Sequence, residues 1–107
     1  MAWFLLSAAI VAEVAGTLSL RASDGFTRGW FTLASLAGYA VALVLLGFVL
    51  KHGMPVGVAY GIWAATGVAL VAVLGRVLFG DALTVPMAFG LALIMAGVLL
   101  VETGATR

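Results

Sequence analysis

One side chain in this sequence needs a chemical explanation before any other. Glu13 stands inside an apolar run from Trp3 to Leu20 that is otherwise broken only by small polar residues. It lies about 2 Å from the middle of that run at 1.5 Å of rise per residue. A carboxylate at such a depth in a bilayer costs at least ~2.5 kcal/mol, so it must face protein or a water-filled cavity. Its helical neighbours are small: Ala9 at i−4, Gly16 at i+3 and Thr17 at i+4 share its face. This predicts a groove of Ala9, Gly16 and Thr17 through which something can reach the acid. The plain alternative is an ion pair with a basic residue on another span. No Lys, Arg or His lies inside any other apolar run, so that pair has no internal partner. A carboxyl held out of water, and more so one beside a second carboxylate, can trade a proton for a cation near neutral pH. Proton and cation would then compete for Glu13.

The aromatic residues extend this chemistry. Tyr39 falls within the second apolar run, and Tyr60 and Trp63 are three apart in the third, hence on one helical face. Gly67 continues that face without a side chain. Aromatic faces attract cations, most strongly when desolvated, and do so without demanding one ligand shape. The competing reading makes Tyr60 an interfacial anchor and Trp63 packing. Trp3 and Trp30, at the ends of runs, are expected in the interfacial belt. In the fourth run, Gly90 and Gly97 are seven apart and lie on one stripe where another backbone can approach, a helix–helix contact rather than a substrate surface.

These residues need long apolar elements to position them, and the composition supplies them. Of 107 residues, 65% are hydrophobic and only 8% charged, which excludes a water-soluble domain of this size. Four apolar blocks run over about 3–20, 30–50, 56–75 and 85–101. They span roughly 25–32 Å as helices, close to the hydrocarbon thickness of a bilayer. Spanning strands would be shorter and alternate in polarity. The expected fold is therefore an all-α integral membrane protein, a single domain of four transmembrane helices joined by short loops. Ser23-Asp24-Gly25, Pro55 with Gly57, and Gly80-Asp81 mark the turns, and Thr84 is placed to cap the fourth helix ahead of Pro86. A net charge of +1 gives no footprint for nucleic acid. There is no cysteine, and the one histidine, His52, reads as a solvated loop residue; no metal, cofactor or catalytic residue is expected. No cleavable leader is expected either, since a basic n-region is missing and the first run carries an acid.

With four spans, Lys51 and Arg107 share one side of the membrane, and Arg21, Arg28 and Arg76 the other. So small an imbalance specifies orientation weakly and permits insertion in both directions; equally, the one extra arginine could fix a single topology. Four spans with one acid enclose a substrate poorly, and alternating-access transporters are commonly built from two inverted repeats. The chain has no internal repeat. Two copies inserted in opposite directions would supply the second half, bringing two Glu13 side chains into one chamber.

The ordered set Ala12-Glu13-Val14 with Gly16-Thr17, Asp24-Gly25-Phe26-Thr27-Arg28, Pro55 with Gly57, Ala59-Tyr60-Gly61-Ile62-Trp63, and Gly90-Leu91 with Gly97-Val98 resembles the small multidrug resistance transporters over nearly the whole chain. The likeness is to their quaternary-ammonium, multidrug type. The resemblance implies a dual-topology, antiparallel homodimer in the cell inner (plasma) membrane, exporting hydrophobic cations in exchange for protons. It implies that Glu13 binds both proton and substrate, that Tyr39, Tyr60 and Trp63 face substrate, and that Gly90 and Gly97 lie in the dimer helix. The guanidinium-exporting subtype is also similar but carries tryptophan where this chain has Gly16. After Trp63 the chain reads Ala64-Ala65-Thr66-Gly67, where multidrug members typically have Ser-Gly-hydrophobic-Gly, and its second span is aliphatic after Tyr39. These departures keep open a guanidinium exporter and a heterodimer with a homologous subunit. Outside the family, the alternative is a non-transporting membrane interaction module.

Overall fold

A computed structural model describes residues 1–105, so Arg107, counted above among the charges, lies outside the described residues. The described chain is all-helical: α1 (Ala2–Ala22), α2 (Gly29–Lys51), α3 (Val56–Phe79) and α4 (Val85–Ala105). The helices hold 21, 23, 24 and 21 residues, or roughly 32–36 Å each. All four are long and apolar enough to cross a membrane. α3 and α4 continue past the charged ends of their apolar blocks, taking in Arg76 and Glu102, because a charge near the interface does not break a helix. What stops α3 is Gly80 at φ 72°, ψ 20°, a left-handed turn in which its N–H reaches the Arg76 carbonyl at 3.2 Å. Thr84 caps α4 weakly, its Oγ1 accepting from the Met87 N–H at 3.4 Å.

The basic residues follow the helix dipoles. Arg21, Lys51 and Arg76 each stand in the last turn of a helix, where the partial negative charge of the open carbonyls favours them. His52 follows Lys51 as the exposed C-cap of α2.

The chain divides into two compact units, the α1–α2 hairpin through Gly53 and a second unit from Met54 that holds α3 and α4. In the first unit the helices meet at two glycines. A Cβ built on Gly38 would lie 2.8 Å from the Ala12 carbonyl oxygen and 2.9 Å from the Gly16 Cα. One built on Gly16 would lie 3.2 Å from the Ser35 carbonyl oxygen. The two backbones are thus in contact, as small residues allow. Ser35, Ala42 and Val49 on α2 are buried, as are Ala9, Gly16 and Ser23 of the first unit. Both sets repeat every seven residues, the spacing of a seam between two helices.

The hairpin turn is more contorted than Ser23-Asp24-Gly25 predicts. Asp24, Gly25 and Phe26 all have positive φ (51°, 68° and 68°). An aromatic residue there is uncommon, and it must be held. Ser23 holds it: fully buried, it donates from Oγ to the Leu20 carbonyl at 2.6 Å and accepts from the Phe26 N–H at 3.1 Å. Its own carbonyl accepts from the Arg28 N–H at 3.0 Å.

In the second unit α3 packs on α4 over a shorter stretch, and a Cβ on Gly61 would reach Val98 at 3.9 Å.

Gly38 and Gly47 of α2 make a paired test. Helix propensity favours alanine over glycine by roughly 0.5–1 kcal/mol, whereas overpacking a filled contact costs about 1–3 kcal/mol. At Gly38 the overpacking wins, so Gly38→Ala lowers stability. At Gly47 a Cβ meets nothing within 4 Å, so Gly47→Ala is neutral or stabilising. Thermal unfolding of the two variants in detergent checks the opposite signs.

Candidate functional site

Glu13 lies one position from the centre of α1, whose bounds Ala2 and Ala22 put the midpoint at residue 12. It is half-buried. Thr17, one turn along, donates a hydrogen bond from Oγ1 to Glu13 Oε1 at 2.8 Å. The same Oγ1 is 2.8 Å from the Tyr39 hydroxyl on α2. Among the described residues this hydroxyl is the only hydrogen-bond donor to the Glu13 carboxylate, and no cationic side chain pairs with it. One neutral donor does not neutralise a carboxylate, so Glu13 retains capacity for a proton or a cation.

The seam between α1 and α2 builds this arrangement. Gly16 lets Ser35 and Tyr39 approach so closely that its missing Cβ would sit 3.3 Å from the Tyr39 N and 3.4 Å from its ring. That approach brings the Tyr39 phenol within reach of Thr17. Of the residues expected in a groove around Glu13, Ala9 is fully buried, Gly16 is packed on α2, and Thr17 is half-buried beside the acid. The face of α1 beyond Gly16 is therefore occupied by α2, and Thr17 is the member that touches Glu13.

Two further residues shape the site without having stood out in the sequence. Gly38 sets the distance between the helices, and Ser35 gives Gly16 a backbone carbonyl to pack on. The seven-residue spacing of Ser35, Ala42 and Val49 was the signal available for that contact face.

Tyr60 and Trp63 belong to the second unit. Their rings form an edge-to-face pair, with centroids 5.7 Å apart and planes at 85°. Such a pair fixes both rings with favourable quadrupole geometry. Trp63 is half-buried, whereas Tyr60 remains 59% exposed within the described chain. On α4, Gly90 and Gly97 have nothing within 4 Å of where a Cβ would stand, and neither lies in a filled contact. Trp3 and Trp30 occur in the first turns of α1 and α2 and are exposed. Among the described residues no cluster of His, Cys, Asp or Glu is arranged to hold a metal ion.

Comparison with known proteins adds a second line of observation. A family model described as Small Multidrug Resistance protein matches residues 1–94. The chain is 41% identical over 106 residues to the multidrug resistance protein mmr of Mycolicibacterium paratuberculosis, covering 98% of this chain and 99% of that one. It is 38% identical over 100 residues to the multidrug transporter EmrE of Escherichia coli, covering 94% and 90%. It is also 40% identical over 97 residues to the multidrug resistance protein EbrB of Bacillus atrophaeus, covering 91% and 82%.

The packing of Gly16 generates a test of its own. An indole at this position has no room while α1 and α2 hold their present separation, so Gly16→Trp must force the hairpin apart. A loss of about 3 kcal/mol is expected, at the upper end for overpacking. Detergent unfolding measures it, and Gly16→Ala, which needs a yield of only a few tenths of an ångström, should cost clearly less.

Proposed function

The chain belongs to the small multidrug resistance family, and on that premise we propose that it is a proton-coupled antiporter exporting hydrophobic and quaternary ammonium cations. The family consists of transporters rather than enzymes, and the chain is a multi-pass protein of the inner membrane.

The observation that carries the reading is Glu13: a carboxylate at mid-span whose only hydrogen-bond donor among the described residues is a neutral hydroxyl. A structural glutamate at that depth would be matched by a cation. One that is left charge-unmatched suits a cargo that brings its own positive charge. Facing the side where protons are scarce, Glu13 loses its proton and takes up a cation. Facing the side where they are plentiful, it is protonated and the cation leaves. Mutually exclusive occupancy of one carboxylate is enough to couple the two fluxes, provided the site opens to one side at a time.

Aromatic faces serve the cation as well in this reading, each described within its own unit. Tyr60 and Trp63 present a fixed edge-to-face pair, and Tyr39 stands beside Glu13 through Thr17. Such surfaces hold lipophilic cations by quadrupole attraction and apolar contact, which accommodates varied shapes. The functional unit is an antiparallel homodimer in which two Glu13 side chains share one chamber. The open flanks of Gly90 and Gly97 on α4 offer a close contact for the second copy. The multidrug rather than the guanidinium-exporting reading is favoured by Gly16, whose side-chain direction is filled by the α2 backbone and leaves no room for tryptophan.

Reconstitution tests this directly. In proteoliposomes with an imposed pH gradient, the wild-type protein should accumulate tetraphenylphosphonium against its concentration gradient. Glu13→Gln should reduce accumulation to the level of protein-free liposomes. Full activity in that variant would sink the mechanism. Adding tetraphenylphosphonium to detergent-solubilised wild type should release protons, and guanidinium should release fewer.

A further inference from the structure

Hydroxyls on helices ordinarily satisfy themselves on a carbonyl one turn back. Ser7 bonds the Trp3 carbonyl at 2.9 Å, Thr32 the Arg28 carbonyl at 3.0 Å and Ser35 the Thr32 carbonyl at 2.8 Å. Thr103 does the same on Leu99 at 3.0 Å. Thr17 departs from this pattern. Both of its bonds, to Glu13 Oε1 and to the Tyr39 hydroxyl, run between side chains at 2.8 Å in a part-buried setting.

The proton count fixes the direction of these bonds. Threonine has one hydroxyl proton, and an ionised carboxylate only accepts. While Glu13 is charged, the Thr17 proton goes to Oε1. The Tyr39 hydroxyl must then donate to Thr17, which leaves the phenol oxygen's remaining lone pair turned outward. A proton arriving from solvent on Oε1 reverses the row. Glu13 donates to Thr17, Thr17 donates to the Tyr39 oxygen, and the Tyr39 hydrogen turns away from the network. No proton is passed along; each O–H bond stays intact and only its direction changes.

We propose that Thr17 is a positioning residue that links the protonation state of Glu13 on α1 to the orientation of the Tyr39 hydroxyl on α2. The use made of this link rests on the antiport reading above. With Glu13 charged, the site offers a cation the carboxylate and an outward phenol lone pair. With Glu13 protonated, it offers a neutral acid and an outward O–H. One proton thereby turns two groups, on two helices, against a cation at once. Among the described residues no other titratable group enters the network from either helix of the unit. Arg21, Arg28 and Lys51 stand at helix ends and Asp24 in the connecting turn.

Full-length protein in detergent, carrying 13C at tyrosine Cζ and glutamate Cδ, reads the link by NMR as pH is varied. Tyr39→Phe and Glu13→Gln spectra assign the signals against Tyr60 and Glu102. In the wild type the Tyr39 Cζ signal should shift with the same midpoint as Glu13 Cδ. Thr17→Val keeps the shape of threonine, and in it Glu13 should still titrate while Tyr39 no longer follows. Thr17→Ser should restore the response, and Thr17→Ala should lose it as Thr17→Val does. Tyr39 following Glu13 unchanged in Thr17→Val and Thr17→Ala would overturn the proposal, as would a Tyr39 signal that ignores Glu13 in the wild type. Titrating tetraphenylphosphonium into the same sample judges the antiport reading separately: a Glu13 Cδ midpoint that saturating cation does not move counts against antiport, while the Thr17 variants still decide the link.

Discussion

Placing a carboxylate in the middle of a membrane span costs at least ~2.5 kcal/mol before anything compensates it. In this chain the compensation is partial. Glu13 receives one hydroxyl hydrogen bond from its own helix and no charge partner among the described residues. The rest of the first unit makes that incomplete arrangement stable. α1 and α2 are drawn together at Gly16 and Gly38 until their backbones touch, and the contact carries the Tyr39 phenol to Thr17. Close packing of α1 on α2 holds the neighbours of the acid in place, and no ion pair among the described residues occupies it.

The glycines matter for a reason specific to lipid. Acyl chains are as apolar as leucine side chains, so helices in a bilayer are not driven together by exclusion from water. Close van der Waals approach has to do that work, and it needs small residues at the crossing. A glycine inside α2 that would weaken a soluble helix is here the point where α2 meets α1. The same physics gives the open glycines of α4 a different meaning. Gly90 and Gly97 have nothing within 4 Å of where a Cβ would stand in the described chain, and the proposed dimer would set a partner helix against them.

The turn between α1 and α2 shows how a buried hydroxyl can hold backbone strain. Three consecutive residues at positive φ, two of them not glycine, would be costly in an open loop. Ser23 offsets this by serving both the outgoing helix and the incoming turn from a fully buried position. Beyond this turn α2 runs alongside α1, and Tyr39 comes within hydrogen-bond distance of Thr17.

The sequence alone determined that this is a four-helix membrane protein, because hydropathy and span length are properties of segments and need no knowledge of neighbours. It also singled out Glu13, since the cost of burying a charge is legible wherever an apolar run contains one. Thr84 as a cap and Gly80-Asp81 as a turn were readable on the same local grounds, whereas the continuation of α3 past residue 75 to Phe79 was not. Only the tertiary structure decided what surrounds the acid. Sequence spacing places Ala9, Gly16 and Thr17 on one face, but it cannot say whether that face opens on a groove or on another helix. The fold fills the Gly16 position with the backbone of α2 and turns Thr17 into the bridge between Glu13 and Tyr39. Thr17 and Tyr39 are 22 positions apart along the chain. Their contact exists because two glycines let two helices approach, and that is a property of the pair, absent from either helix by itself.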